Sequence, residues 1–165
     1  MTLAAAALTA GAFRLFGEVI CADGLAGLAV NEGRGLRFNT GLALAHATRA
    51  TAPTLALYRM QPSPPPVSVA LFERHPHSAQ LFLPMDARRY LVVVAPRLPQ
   101  GGPDTHAARA FAARADQGII YAPGVWHAPL IALDAISTFA MMMFETGEAE
   151  DCIMYPLAAP LAVSL

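Results

Sequence analysis

The chain has 165 residues, with eleven arginines and no lysine against twelve aspartates and glutamates, for a formal charge of −1. Hydrophobic residues make up 55% of it and charged residues 14%, against about 25% charged in an average soluble protein. That balance excludes whole-chain disorder, the length suits one domain over residues 1–165, and the lack of a basic tract argues against nucleic acid as a partner.

In chain order, the Met1 to Ala12 run has no basic residue ahead of its apolar part, and Arg14 follows it, so it does not read as a signal peptide. Uncharged stretches fall short of the roughly 20 apolar residues of a spanning helix. The expectation is a cytoplasmic chain with no membrane partner, in which Cys21 and Cys152 stay reduced. Thr9 caps a short helix over Ala10 to Phe16, with Phe13 and Phe16 on one face and Gly17 as its stop. Glu18 to Cys21 reads as a strand, Asp23 to Gly35 is broken by glycines, and Leu36 to Ala45 reads as a strand with a turn.

Thr54 to Arg59 is rich in strand formers and is ended by the four prolines within Gln61 to Pro66. Val67 to Arg74, Ala79 to Pro84 and Arg89 to Ala95 follow as strands, and their spacing suggests a sandwich or barrel. Asp104 or Thr105 then caps a predicted helix reaching about Ala115, with Ala107, Ala108, Phe111 and Ala112 as its apolar face. Ile119 to Ala122, Trp126 to Leu133 and Ser137 to Phe144 complete the strands. The tail from Glu148, with Pro156 and Pro160, reads as a surface wrap.

The chemistry gathers around few histidines. His75 and His77 are two apart, so on an extended strand both imidazoles face one point. With His127, and an oxygen from Glu73 or Gln80, they form a mixed nitrogen and oxygen set suited to a first-row divalent ion. The other reading of this H-x-H is a solvated loop at a proline kink. In Gly118 to His127 the chain reads GIIYAPGVWH, a strand reversed by Pro123-Gly124 and returning through Trp126 and His127.

The H-x-H followed later by G-x4-P-G-x2-H resembles the paired motifs of the cupin superfamily. Longer strings narrow the likeness: FGEVI, LYRMQP, ERHPHSAQLFLPMD, YLVVVAP, a PD-initiated segment with RAF, QGIIYAPGVWHAPLIALD and a late Asp-Cys, from about residue 12 to 152. Together they resemble the ureidoglycolate lyase family. The resemblance implies an all-β cupin-type double-stranded β-helix (a jelly-roll barrel) with one or two short flanking helices. It also implies a homodimer and cleavage of ureidoglycolate to glyoxylate and urea late in allantoin breakdown.

On this reading His75, His77, Gln80 and His127 are the metal ligands, for nickel, manganese or zinc, and no organic cofactor is needed. Glu73 is the catalytic base, or else a surface partner of Arg74, and His127 is a ligand or acid. Arg59 offers two parallel donors to the substrate carboxylate, or pairs with an acid of its own chain. Tyr121 and Trp126 wall the pocket or belong to the core, and Met141 to Met143 is core or dimer interface. Two places depart from the family pattern: Ala128 stands where a second histidine is common, and Met143-Phe144 where a strand commonly ends in Asp-Arg. They motivate an alternative, a divergent cupin acting on or binding another small hydroxy or keto acid.

Overall fold

The computed structural model describes residues 2–165, leaving Met1 of the opening run outside the described residues. Its strands are β1 (Thr2–Ala7), β2 (Gly17–Ile20), β3 (Gly27–Val30), β4 (Gly35–Phe38), β5 (Ala52–Met60), β6 (Val67–Arg74) and β7 (Gln80–Pro84). They continue as β8 (Arg89–Ala95), β9 (Arg109–Arg114), β10 (Gly118–Tyr121), β11 (Trp126–His127), β12 (Ile131–Ala132), β13 (Ser137–Glu145) and β14 (Ile153–Ser164). Helix α1 (Ala10–Phe13) starts where Thr9 accepts the Ala12 amide at 3.2 Å, and it stops short of the expected Phe16.

Two antiparallel arrays, β5-β13-β7-β10 and β6-β11-β8-β9, face each other. That order is a jelly roll, the double-stranded β-helix expected from the sequence. Its core holds Phe82, Tyr90, Val92, Phe111, Ile119, Phe139 and Met141, and α1 plugs it with Phe13, whose ring meets Phe111 edge-on at 5.8 Å.

A second closure shares one of these arrays. β14 pairs with β6, β1 pairs in parallel with both β14 and β9, and the strands β6-β14-β1-β9-β8-β11 close into a six-stranded barrel. Its interior is Val67, Val69, Phe72, Leu91, Val93, Trp126 and Val163. β8 therefore lies between two cores: Tyr90, Val92 and Val94 enter the jelly roll, and Leu91, Val93 and Ala95 enter the six-stranded barrel. This explains the unbroken apolar run of β8, since a strand buried on both faces has no reason to alternate. Each such Val or Leu contributes about 1.5–3 kcal/mol of burial.

Several expectations are corrected by this second barrel. The tail is not a surface wrap but a twelve-residue strand with buried Leu161 and Val163. The helix expected from Asp104 or Thr105 to Ala115 is one 3-10 turn (Thr105–Ala107) and then strand β9. Alanine favours helix only weakly, and pairing on both edges, with β8 and β1, overrides that preference. The Leu36 to Ala45 strand shrinks to β4, and Trp126 to Leu133 splits into β11 and β12 around Ala128-Pro129-Leu130.

Candidate active site

His127 is placed by a turn that the sequence dictates. Ala122 carbonyl accepts the Val125 amide at 3.2 Å across Pro123-Gly124, and Gly124 has φ +76°. Proline preset at the second position and glycine at the third, where φ is positive, are the demands of a type II turn. The chain returns as β11, where His127 stands opposite both Glu73 of β6 and Val94 of β8. The Gly124 amide also donates to the His75 carbonyl at 2.9 Å, tying the two histidine segments together.

Glu73 reaches the same face through a change of strand parity. Val67, Val69 and Phe72 all enter the six-stranded barrel, so the inward alternation of β6 shifts between Val69 and Phe72. The shift coincides with an irregularity on its partner β14 between Pro156 and Leu161. Bulges commonly re-aim side chains beside functional sites. Here the result turns Glu73 away from Phe72 and towards His127, with Oε1 at 3.5 Å from Nε2.

Both buried imidazoles are held in one tautomer. His75 Nδ1–H donates to the Asp151 carbonyl at 2.7 Å, and His127 Nδ1–H donates to the Val125 carbonyl at 3.0 Å. A carbonyl only accepts, so the proton sits on Nδ1 and each Nε2 keeps its lone pair. Among the described residues no donor reaches either Nε2, and none reaches the buried Gln80 Oε1. Ligand atoms of Glu73, His75 and His127 lie within 4.8 Å of one another. Buried lone pairs without donors are costly, and one cation within reach of Glu73, His75 and His127 satisfies both imidazoles at once, so this trio fits a divalent metal ion.

The electrostatics agree with that division of labour. Burial, with the neighbouring His127 imidazole, lowers the His75 pKa despite its bond to Asp151, which favours the neutral ligand form. Burial pushes Glu73 up, but the neighbouring His127 and His75 imidazoles, with the Cys152 thiol, outweigh it and hold the carboxyl below its ordinary value. Tyr121 stacks on His127 with ring centroids 3.9 Å apart, its hydroxyl buried and without a partner among the described residues. Burial holds that hydroxyl's pKa well above the ordinary value, so it stays a neutral donor.

The remaining expected residues are distributed differently. β6 ends at Arg74 and Pro76 begins a turn, so His77 does not share a face with His75. It turns instead to Arg49 Nη2 at 2.5 Å and Glu150 Oε2 at 3.5 Å. Gln80 is buried beside the site, its Nε2 donating to Met143 Sδ at 3.9 Å. Arg59 is exposed on β5 opposite Thr138, towards the start of β13, whereas Met143 lies near its end. The residue of LYRMQP nearer the trio is Tyr58: its ring meets Phe82 edge-on at 5.5 Å, and burial followed by the charge of Glu73 raises its pKa. Trp126 lies in the six-stranded barrel, on the other sheet face from His127, and donates Nε1–H to the Gly101 carbonyl at 3.1 Å. Ala128 packs in that same barrel, so the departure there leaves the face carrying His127 intact.

Sequence reasoning missed the loop from Thr146 to Cys152. The Asp151 carboxylate collects the amides of Thr146, Gly147 and Glu148 and the Thr146 hydroxyl at 2.8–3.2 Å, which fixes the carbonyl that holds His75. The neighbouring Cys152 Sγ lies 3.9 Å from Glu73 Oε2. The only sequence signal for this loop was the late Asp-Cys.

Comparison with known proteins bears on the same residues. The sequence model of one family, described as ureidoglycolate lyase, matches residues 1–164. A ureidoglycolate lyase from Burkholderia cepacia is 40% identical over 157 residues, 94% of this chain and 86% of that protein. One from Schizosaccharomyces pombe is 39% identical over 100 residues, 58% of this chain and 52% of that protein. Among solved structures, an RmlC epimerase of Mycobacterium tuberculosis aligns with TM-score 0.49 at 18% identity, over 86% of this chain and 68% of that one.

Proposed function

The chain belongs to the ureidoglycolate lyase family, and on that premise we propose that it cleaves ureidoglycolate to glyoxylate and urea at the Glu73, His75 and His127 trio. The observation that carries the reading is the pair of buried imidazoles, each fixed through Nδ1 with its Nε2 open, converging on an ionised carboxylate.

Ureidoglycolate carries a carboxylate, a hydroxyl and a urea nitrogen on one carbon, so its cleavage moves one proton and no water. Glu73, held below its ordinary pKa, takes the hydroxyl proton. The oxygen becomes the aldehyde carbonyl of glyoxylate as the carbon–nitrogen bond breaks, and the electron pair leaves on the urea nitrogen. Glu73 then returns the proton to that nitrogen, which is bonded to the same carbon as the oxygen and so stays within reach. Tyr121, neutral and without a partner, serves as a donor to the bound substrate. His75 and His127, with Gln80 Oε1 or Glu73, would hold a divalent ion, which when bound polarises the hydroxyl and carboxylate oxygens and lowers the hydroxyl pKa.

The working molecule is read as a homodimer acting late in allantoin breakdown. The outer face of β5 and β13 supports the first part, since exposed Leu55 and Leu57 stand beside Met142 and Ala140. The test of the catalytic reading is glyoxylate release from racemic ureidoglycolate, with and without nickel, manganese or zinc. Turnover that disappears in His127→Ala and falls about 100-fold or more in Glu73→Gln, with both variants folded, supports it. Release no faster than the spontaneous rate with every metal overturns it.

A further inference from the structure

Beside the Pro123-Gly124-Val125 turn lies a cavity of 390 Å³, walled by Leu15, Phe16, Pro123 and Val125 and flanked by Arg97 and Arg109. We propose that it is a second binding site, separate from the catalytic trio, for a small organic anion whose oxyanion group meets the two arginines while its apolar part rests on Leu15, Phe16 and Val125. The proposal does not rest on the catalytic reading.

Three observations carry it. The first is size, since cavities of roughly 300–1,000 Å³ accommodate small-molecule ligands. The second is uncompensated charge. Arg34, Arg49, Arg89 and Arg114 each have a carboxylate within 3.1 Å, whereas among the described residues neither Arg97, Arg109 nor the adjacent Arg74 has an acidic partner. Arg109 is opposite Val94 on β9, so it reaches the end of β8 from which Arg97 follows. Its guanidinium sits 5.9 Å from the Phe16 ring, and that of Arg74 sits 5.1 Å from the Trp126 ring.

The nearby acid Asp104 is already committed, its Oδ1 accepting the amides of His106 and Ala107. In a chain of net charge −1 this concentration of positive charge at an apolar cavity is the chemistry that recognises an oxyanion.

The third observation is the wall itself. Pro123, Gly124 and Val125 line the cavity, and the same turn supplies the Val125 carbonyl that holds His127 and the Gly124 amide that holds the His75 segment. An occupant therefore touches the support of both histidines without touching the trio.

Calorimetric titration of the purified protein in EDTA, with phenyl phosphate, benzoate and inorganic phosphate at matched ionic strength, tests this. Phenyl phosphate or benzoate binds more tightly than inorganic phosphate, and the double variant Arg97→Gln/Arg109→Gln loses about tenfold or more in affinity. Arg37→Gln and His127→Ala bind as the parent does. A preference for benzoate identifies a carboxylate ligand, and one for phenyl phosphate identifies a phosphate ester. The proposal is overturned if none of the three probes binds, if the double variant binds equally well, if Arg37→Gln weakens binding as much, or if His127→Ala abolishes it.

Discussion

Replacing Asp151 by alanine removes a carboxylate that accepts from three backbone amides and one hydroxyl. A hydrogen bond to a charged group contributes about 1.5–3 kcal/mol net. Gly147 and Glu148 are exposed, so their freed amides reach water, and the loss amounts to one or two such bonds rather than four. We expect a cost of about 3 kcal/mol, which in a chain of this size lowers the melting midpoint by roughly 6–12 °C.

Because the same loop sets the Asp151 carbonyl against His75 Nδ1, turnover falls as well, by about 10- to 100-fold, as when the support of a ligand histidine is removed. Asp151→Asn keeps one oxygen acceptor and falls between the two. The pH dependence has a definite sign. Burial raises the Asp151 pKa, but the Thr146, Gly147 and Glu148 bonds lower it further, to a net value below the ordinary one. A depressed carboxyl contributes stability above its unfolded pKa, about 3.9, and loses it as pH falls through the folded value. The gap between parent and Asp151→Ala is therefore full at neutral pH and closes below about pH 4. Urea denaturation across pH and glyoxylate release provide the readouts. A midpoint shift below about 2 °C with turnover unchanged would refute the assignment of this loop as the support of His75.

Tyr121→Phe removes a buried hydroxyl that has no partner, so thermal stability holds or rises while turnover falls, and steady-state kinetics beside a melting curve checks both. His77→Ala, which loses only the contacts to Arg49 and Glu150, stays within about 0.5 kcal/mol of the parent and keeps its turnover. A large loss of activity in His77→Ala with metal content reduced would restore His77 to the ligand set. Trp126→Phe breaks the bond to Gly101 and the stack under Arg74, costing about 1–2 kcal/mol in denaturant titration while turnover is kept, because this ring faces the six-stranded barrel.

Local physics wrote much of the jelly roll into the chain. Val67 to Arg74 and Arg89 to Ala95 are strands with the expected bounds, and Pro123-Gly124 makes the turn that returns His127. These features depend on proline, glycine and β-branched residues, whose preferences act over a few residues. The ureidoglycolate lyase likeness was legible in the strings around Glu73 and His127 for the same reason, as each lies in one continuous segment.

What tertiary structure alone decided is which way side chains face. The alanine-rich Arg109–Arg114 segment is a strand because β1 and β8 flank it, a partnership no window of sequence contains. Glu73 meets His127 because β6 shifts parity where β14 is irregular, and a one-residue shift exchanges the two faces of a strand. His75 and Trp126 illustrate the same point from opposite sides: an acceptor 76 residues away fixes the tautomer of the first, and a barrel closed by both ends of the described chain buries the second. Residue type and local spacing nominate a site, whereas strand pairing between distant segments determines which nominees share a face.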